Sequence, residues 1–173
     1  MAPDHPLARG WLRQLDTDRN PIFYDGRPLT AALYRRWLDA NAVRFVALPD
    51  AALDGSSLTE AGILRAGVPG LREVWADAHW RVFEVADARP LATGAARVTA
   101  LDTDGVTLRA GRAGLVELRV RFNPYWDVAA GRGCVAEAPD GFTRLRVDGP
   151  GTVRLEPSFD PSRARSTGPR CSP

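Results

Sequence analysis

Few residues of this sequence have the types and spacing to do chemistry. Asp16-Thr17-Asp18 places two carboxylates two residues apart, a pair that can hold a divalent cation and, through it, a sugar nucleotide. The plainer reading is a solvated turn ahead of Asn20-Pro21, and it carries more weight because three residues match by chance. The stretch also opens like a calcium loop. However, Pro21 stands where such a loop turns on glycine, and Arg27 where it needs a bidentate glutamate. Asp102-Thr103-Asp104-Gly105 fails the same test, with Ala113 at the glutamate position, and reads as a hairpin turn. There are two histidines, His5 and His79, and two cysteines, Cys134 and Cys171. They form no zinc spacing, and Cys134 has no histidine nearby in sequence to activate it. Neither a Gly-X-Ser-X-Gly elbow nor a P-loop occurs. The glycine-rich stretch 110–114 lies between two strand-like runs and offers no helix N-terminus to a phosphate. No metal site and no cofactor is expected.

The aromatic residues are the more unusual feature. Trp37, Trp75 and Trp80 are expected in the core, the commoner use of tryptophan. Asn123-Pro124-Tyr125-Trp126 ends the best strand of the chain. Pro124 fixes its own φ and pushes Asn123 toward extended geometry, so the strand meets a corner. With Phe122 inward, alternation sends Trp126 inward and Tyr125 to the surface. Exposed tyrosine and tryptophan can stack on sugar rings. The binding candidates are therefore Tyr125, Trp126, Asp16 and Asp18.

These residues must be positioned by a chain of 173 residues in which hydrophobic residues make up 45% and charged residues 25%, ordinary values for a globular protein. All 23 basic residues are arginine, against 21 acidic ones, and the net charge of +2 is too small for a nucleic-acid groove. No run reaches the length of a membrane span, and the first residues lack the pattern of a secretory signal. As given, the chain is expected to be soluble without an export signal.

Residues 1–89 read as an irregular segment followed by a small α/β layer. Thr30 caps a helix with Leu33, Tyr34, Trp37 and Leu38 on one face and Asn41 at its end. A strand follows at 43–48. Ser57, with Glu60 as capping-box partner, begins a second helix that ends at Gly67. Strands at 71–75 and 80–85 come next. Residues 90–159 show only short alternating runs separated by turn signals, as in an antiparallel β-sandwich of immunoglobulin-like or jelly-roll-like kind. Residues 160–173 read as an extended tail. The fold class is α+β. No internal repeat is visible.

Arg9-Gly10-Trp11, Arg13-Gln14-Leu15-Asp16 and Asn20-Pro21-Ile22-Phe23-Tyr24-Asp25-Gly26 resemble a segment of actinobacterial multi-pass membrane proteins. So do Tyr34-Arg35-Arg36-Trp37-Leu38 and the stretch from Val43 to Asp50. Those proteins are related to GT-C glycosyltransferases, and the segment lies in their extracytoplasmic C-terminal region. Asn123-Pro124-Tyr125-Trp126-Asp127-Val128, with Gly131 and Gly151-Thr152-Val153, is similar to the C-terminal β-domain of YfhO-type membrane proteins. The resemblance implies a non-catalytic accessory domain on the outer face of the plasma membrane, partnered by an upstream transmembrane region. Glycan or lipid-linked sugar are further partners it suggests. Catalytic acids of such an enzyme would lie upstream, and none maps onto this sequence. An outside location permits a disulfide, so Cys134 and Cys171 are a candidate bridge that would fasten the tail. The alternative is a free-standing carbohydrate- or protein-binding module.

Overall fold

The computed structural model describes residues 6–9, 13–158 and 171. Two compact units divide the chain, one from Leu7 to Arg89 and one from Pro90 onward. Among the described residues no helix is long and apolar enough to cross a membrane.

In the first unit, α1 (Arg13–Arg19) leads through a 3-10 turn (Pro21–Phe23) to α2 (Ala31–Ala40), β1 (Phe45–Pro49), α3 (Gly55–Ala66), β2 (Leu71–Ala76) and β3 (Trp80–Val85). The Thr30 hydroxyl accepts from the Leu33 amide and so caps α2. Tyr34 and Leu38, one turn apart, are fully buried. They pack with Val46 and Leu48 of β1, Leu64 of α3, and Phe83 and Val85 of β3. All pairings in the sheet are antiparallel, in the order β1-β3-β2. One sequence expectation fails at α3. The cap is Asp54, whose carboxylate accepts from the Ser57 amide at 2.8 Å and from the Ser56 hydroxyl. The helix therefore starts earlier than a Ser57 cap would allow, and Glu60 does not close a capping box. Its carboxylate turns to Arg9 and Tyr34 instead.

The second unit is a β-sandwich. Its strands are β4 (Ala92–Gly94), β5 (Ala96–Leu101), β6 (Val106–Ala110), β7 (Gly114–Arg121), β8 (Trp126–Ala130), β9 (Gly133–Glu137), β10 (Phe142–Val147) and β11 (Gly151–Pro157). They form two antiparallel sheets, β4-β7-β10-β9 and β5-β6-β11-β8. The alternating runs place six of these strands. β4 is too short to show alternation, and β9 buries only Val135 well.

Contrary to the sequence reading, the sandwich is built from two copies of one unit. β4 to β7 and β8 to β11 share the same connectivity, each copy placing its first and last strands in one sheet and its middle hairpin in the other. Residues of the two copies correspond at a constant offset of 37 (131 less 94). Gly94 matches Gly131, Gly114 matches Gly151, Val98 matches Val135, Leu108 matches Leu145, Val116 matches Val153 and Leu118 matches Leu155. Register repeats as well. Ala96 opposite Ala110 recurs as Gly133 opposite Val147, and the central pairs Val116–Leu145 and Val153–Leu108 exchange roles. The matched glycines also share backbone geometry, with φ of 99° and 86° at Gly94 and Gly131 and of 145° and 141° at Gly114 and Gly151. These values fall where L side chains are strained. The identities are scattered core and turn positions, so no run of residues announces the repeat.

Bulges interrupt β2 at Val74, β5 at Thr99 and β8 at Ala129.

Two stability predictions follow from this geometry. Asp54→Ala should cost about 1 kcal/mol through loss of the cap, while Ser57→Ala should be close to neutral in the same urea melts. A Cβ at Gly131 would lie 2.6 Å from the Thr152 carbonyl oxygen, whereas one at Gly149 meets nothing within 4 Å. Gly131→Ala should therefore lose more than about 1 kcal/mol, and Gly149→Ala should stay within about 0.5 kcal/mol of the parent.

Candidate functional site

The two carboxylates of Asp16-Thr17-Asp18 do not converge. Residues two apart on a helix point away from one another, and α1 buries Asp16 at 3% exposure while Asp18 faces solvent. Asp16 accepts from the Asn20 amide at 2.9 Å and from the Tyr24 hydroxyl. Arg9 donates to Asp16, Glu60 and the Tyr24 hydroxyl, with its guanidinium 4.0 Å from the centre of the Phe23 ring. Asn20 accepts from the Trp37 indole at 3.0 Å, and Tyr34 donates to Glu60 at 2.7 Å. This network links the segment around Arg9 to α1, the 3-10 turn, α2 and α3. Burial works against the Arg9 charge, but Glu60, Tyr24 and Asp16 outweigh it and raise its pKa. Burial foremost, then the Glu60 carboxylate, raises the Tyr34 phenol well above its ordinary value. The arrangement suits a structural latch whose polar groups satisfy one another. Among the described residues no cluster of three or more His, Cys, Asp or Glu could hold a metal ion.

The first unit also carries an open sheet face. β3 sends Phe83 and Val85 toward the helices, so Trp80, Val82 and Glu84 lie on the other side. Partner residues share that side: Phe45, Ala47 and Pro49 on β1, Arg72 and Trp75 on β2. Phe45 is 50% exposed, Trp75 52% and Trp80 37%. Trp75 stands opposite Val82, which makes Trp80, two residues along β3, its diagonal neighbour, within reach of a large side chain. Ala47 and Val82 give this face a low centre, bounded by Phe45, Trp75 and Trp80. Arg72 pairs with Glu84 at 2.9 Å, and the Arg44 guanidinium lies 5.2 Å from the centre of the Phe45 ring.

Trp75 and Trp80 therefore correct the expectation of core positions, which Trp37 alone of the three fulfils in part. The bulge at Val74 explains Trp75. Leu71 faces inward opposite Val85, and strict alternation would carry Trp75 inward too, but the extra residue turns it outward. His79 sits in the Asp77–Trp80 turn, where the Asp77 carboxylate accepts from its amide.

In the second unit Trp126 is half-buried against the sandwich core, with its indole donating to the Arg121 carbonyl. Tyr125 lies at the surface, 36% exposed, and its amide donates to the Asn123 side chain at 2.9 Å. Asp16 and Asp18 belong to the first unit, so the four binding candidates do not form a single cluster within either unit. Cys134 of β9 and Cys171 are joined by a disulfide that closes a loop with a sequence separation of 37.

No family model, no curated protein and no solved structure matches the chain.

Trp75→Ala and Trp80→Ala, on an exposed face, should each change stability by less than about 1 kcal/mol in urea melts. Tyr34 keeps its proton in the fold above the pH at which an unfolded tyrosine, with an ordinary value of 10.0, loses it. Its contribution is thus fully present below pH 10 and lost as pH rises beyond it. Tyr34→Phe should flatten that alkaline fall, measured as melting temperature against pH.

Proposed function

We propose that this chain is a binding domain on the outer side of the plasma membrane, the accessory part of a polytopic, glycosyltransferase-like membrane protein. In this reading the open β1-β3-β2 face is its contact surface, and the upstream transmembrane region of the same protein is its partner. The observation that carries the reading is the grouping of Phe45, Trp75 and Trp80 on one uncovered sheet face. Contiguous exposed aromatic surface of this kind marks interaction sites, and tryptophan is among the residues that dominate contact energies. The Cys134–Cys171 disulfide supports the outside location, since such bonds persist in oxidising compartments. The domain would cover a membrane-embedded site or hold an acceptor near it, with the chemistry performed elsewhere.

A second reading rests on the diagonal placement of Trp75 and Trp80. Two neighbouring indoles on one sheet face, beside a paired arginine and glutamate, suit the apolar face and hydroxyl edge of a sugar ring. The chain would then be a free-standing carbohydrate-binding module. Two measurements separate the readings. An in-frame hydrophobic coding stretch immediately upstream of Met1 supports the accessory domain, and a stop codon there removes it. Oligosaccharides that shift tryptophan fluorescence in the parent chain, but not in the Trp75→Ala, Trp80→Ala double variant, support the module.

A further inference from the structure

We propose that the outer face of the β5-β6-β11-β8 sheet binds an oxyanion of the phosphate class. The site is a shallow concavity formed by residues 131–132 and 149–153, extended across the sheet by Arg109 and Arg97. It is independent of the aromatic face described above.

Arg97 stands directly opposite Arg109, and Arg109 directly opposite Thr152, so the three side chains share one face and one rung. Like charges in this relation repel. Arg109 donates to the Thr152 hydroxyl at 3.2 Å, and Thr152 lines the concavity. Arg132 lines it as well. Among the described residues none of these three arginines has a carboxylate partner, and Asp148 in the neighbouring loop forms no ion pair with them. Elsewhere on the sandwich, Arg119 holds Asp140, Arg144 holds Glu117, and Arg154 holds Asp102 and Glu156, while Arg112 and Arg146 also have no carboxylate partner among the described residues but do not line the concavity. Arg109 thus reaches the Thr152 hydroxyl, Arg132 lines the same concavity and Arg97 stands on the next strand, three guanidinium groups on one surface with no carboxylate among the described residues to balance them. Guanidinium forks match the geometry of phosphate oxygens. Backbone contributes to the shape: Gly131 runs so close to β11 that a Cβ would collide with the Thr152 carbonyl and the Val153 side chain.

The duplication supplies an internal control. The first copy uses the same frame, and its counterparts of Thr152 and Arg132 are Leu115 and Ala95. Arg109 corresponds to Arg146, and Arg97 to Cys134, which is spent in the disulfide. The strand frame therefore forms without Arg97, Arg132 or Thr152, so folding alone does not require them.

The test is an NMR titration of the full chain with inorganic phosphate at low ionic strength, beside flotation with vesicles of phosphatidylglycerol in phosphatidylcholine. Arg97→Gln, Arg132→Gln and Arg146→Gln are compared, each at an exposed position and each checked for parent-like spectra away from the site. Saturable shifts should gather at residues 97, 109, 131–132 and 149–153. Affinity should fall about tenfold or more in Arg97→Gln and Arg132→Gln, as for loss of a hydrogen bond to a charged group, and hold in Arg146→Gln. Vesicle binding lost in the same two variants identifies a lipid headgroup as the source. Phosphate binding without vesicle binding identifies a free phosphate-bearing molecule. Absence of both kinds of binding overturns the proposal, as does equal weakening by Arg146→Gln, which would show diffuse attraction to a basic surface.

Discussion

The pairing of the central strands governs the sandwich. Val116 meets Leu145 across β7 and β10, and Val153 meets Leu108 across β11 and β6. These four side chains are buried at 2% exposure or less, and each contributes about 1.5–3 kcal/mol by leaving water. Because the two pairs exchange under the duplication, one packing solution serves twice. The surrounding constraints follow from it. The chain must pass from one sheet to the other just after the first strand of each copy, and it does so at Gly94 and Gly131. It must enter the last strand from a tight turn, and it does so at Gly114 and Gly151. The residues facing solvent were left free to diverge, and there one copy acquired a disulfide and the other a pair of opposed arginines.

The first unit is organised differently. Its helices are held by an aliphatic and aromatic layer beneath them and by a polar network at one end, in which a single guanidinium serves two carboxylates and a phenol. Such networks constrain geometry because every member left unmatched is costly in a poorly solvated site. Glu60 shows the consequence. A residue in the right place for a capping box is drawn to Arg9 and Tyr34, and the cap passes to Asp54.

Much of this was legible in the sequence where local pattern and tertiary demand agree. The Thr30 cap, the buried turn of Tyr34 and Leu38, and the alternation of Val116, Leu118 and Val120 along β7 all announce their elements. Three kinds of feature were hidden. Trp75 lies outward because a bulge inverts the alternation beyond Val74, and a bulge leaves no mark in residue types. The duplication was masked because its identities sit at isolated glycines and aliphatic positions, and the conspicuous Asp-Gly turns at Asp104-Gly105 and Asp140-Gly141 fall one residue out of step with the offset of 37. The Arg97–Arg109–Thr152 rung joins residues far apart in the chain, so only strand register brings them together. Asp16-Thr17-Asp18 shows the opposite failure, a recognisable spacing whose members the helix separates.

The irregular strands bear on how copies of this protein behave at high concentration. Among the described residues each sheet has two outer strands, and an outer strand can template a neighbouring molecule. β2, β5 and β8 are bent by bulges, and β4 is three residues long, all features that discourage edge-to-edge growth. β1 ends in Pro49, which offers no amide proton. β9 is regular over its five residues, and it is also the strand that Cys134 fastens to Cys171. Among the described residues the covalent attachment thus falls on the one outer strand that neither a bulge, nor extreme shortness, nor a proline protects from unwanted polymerisation.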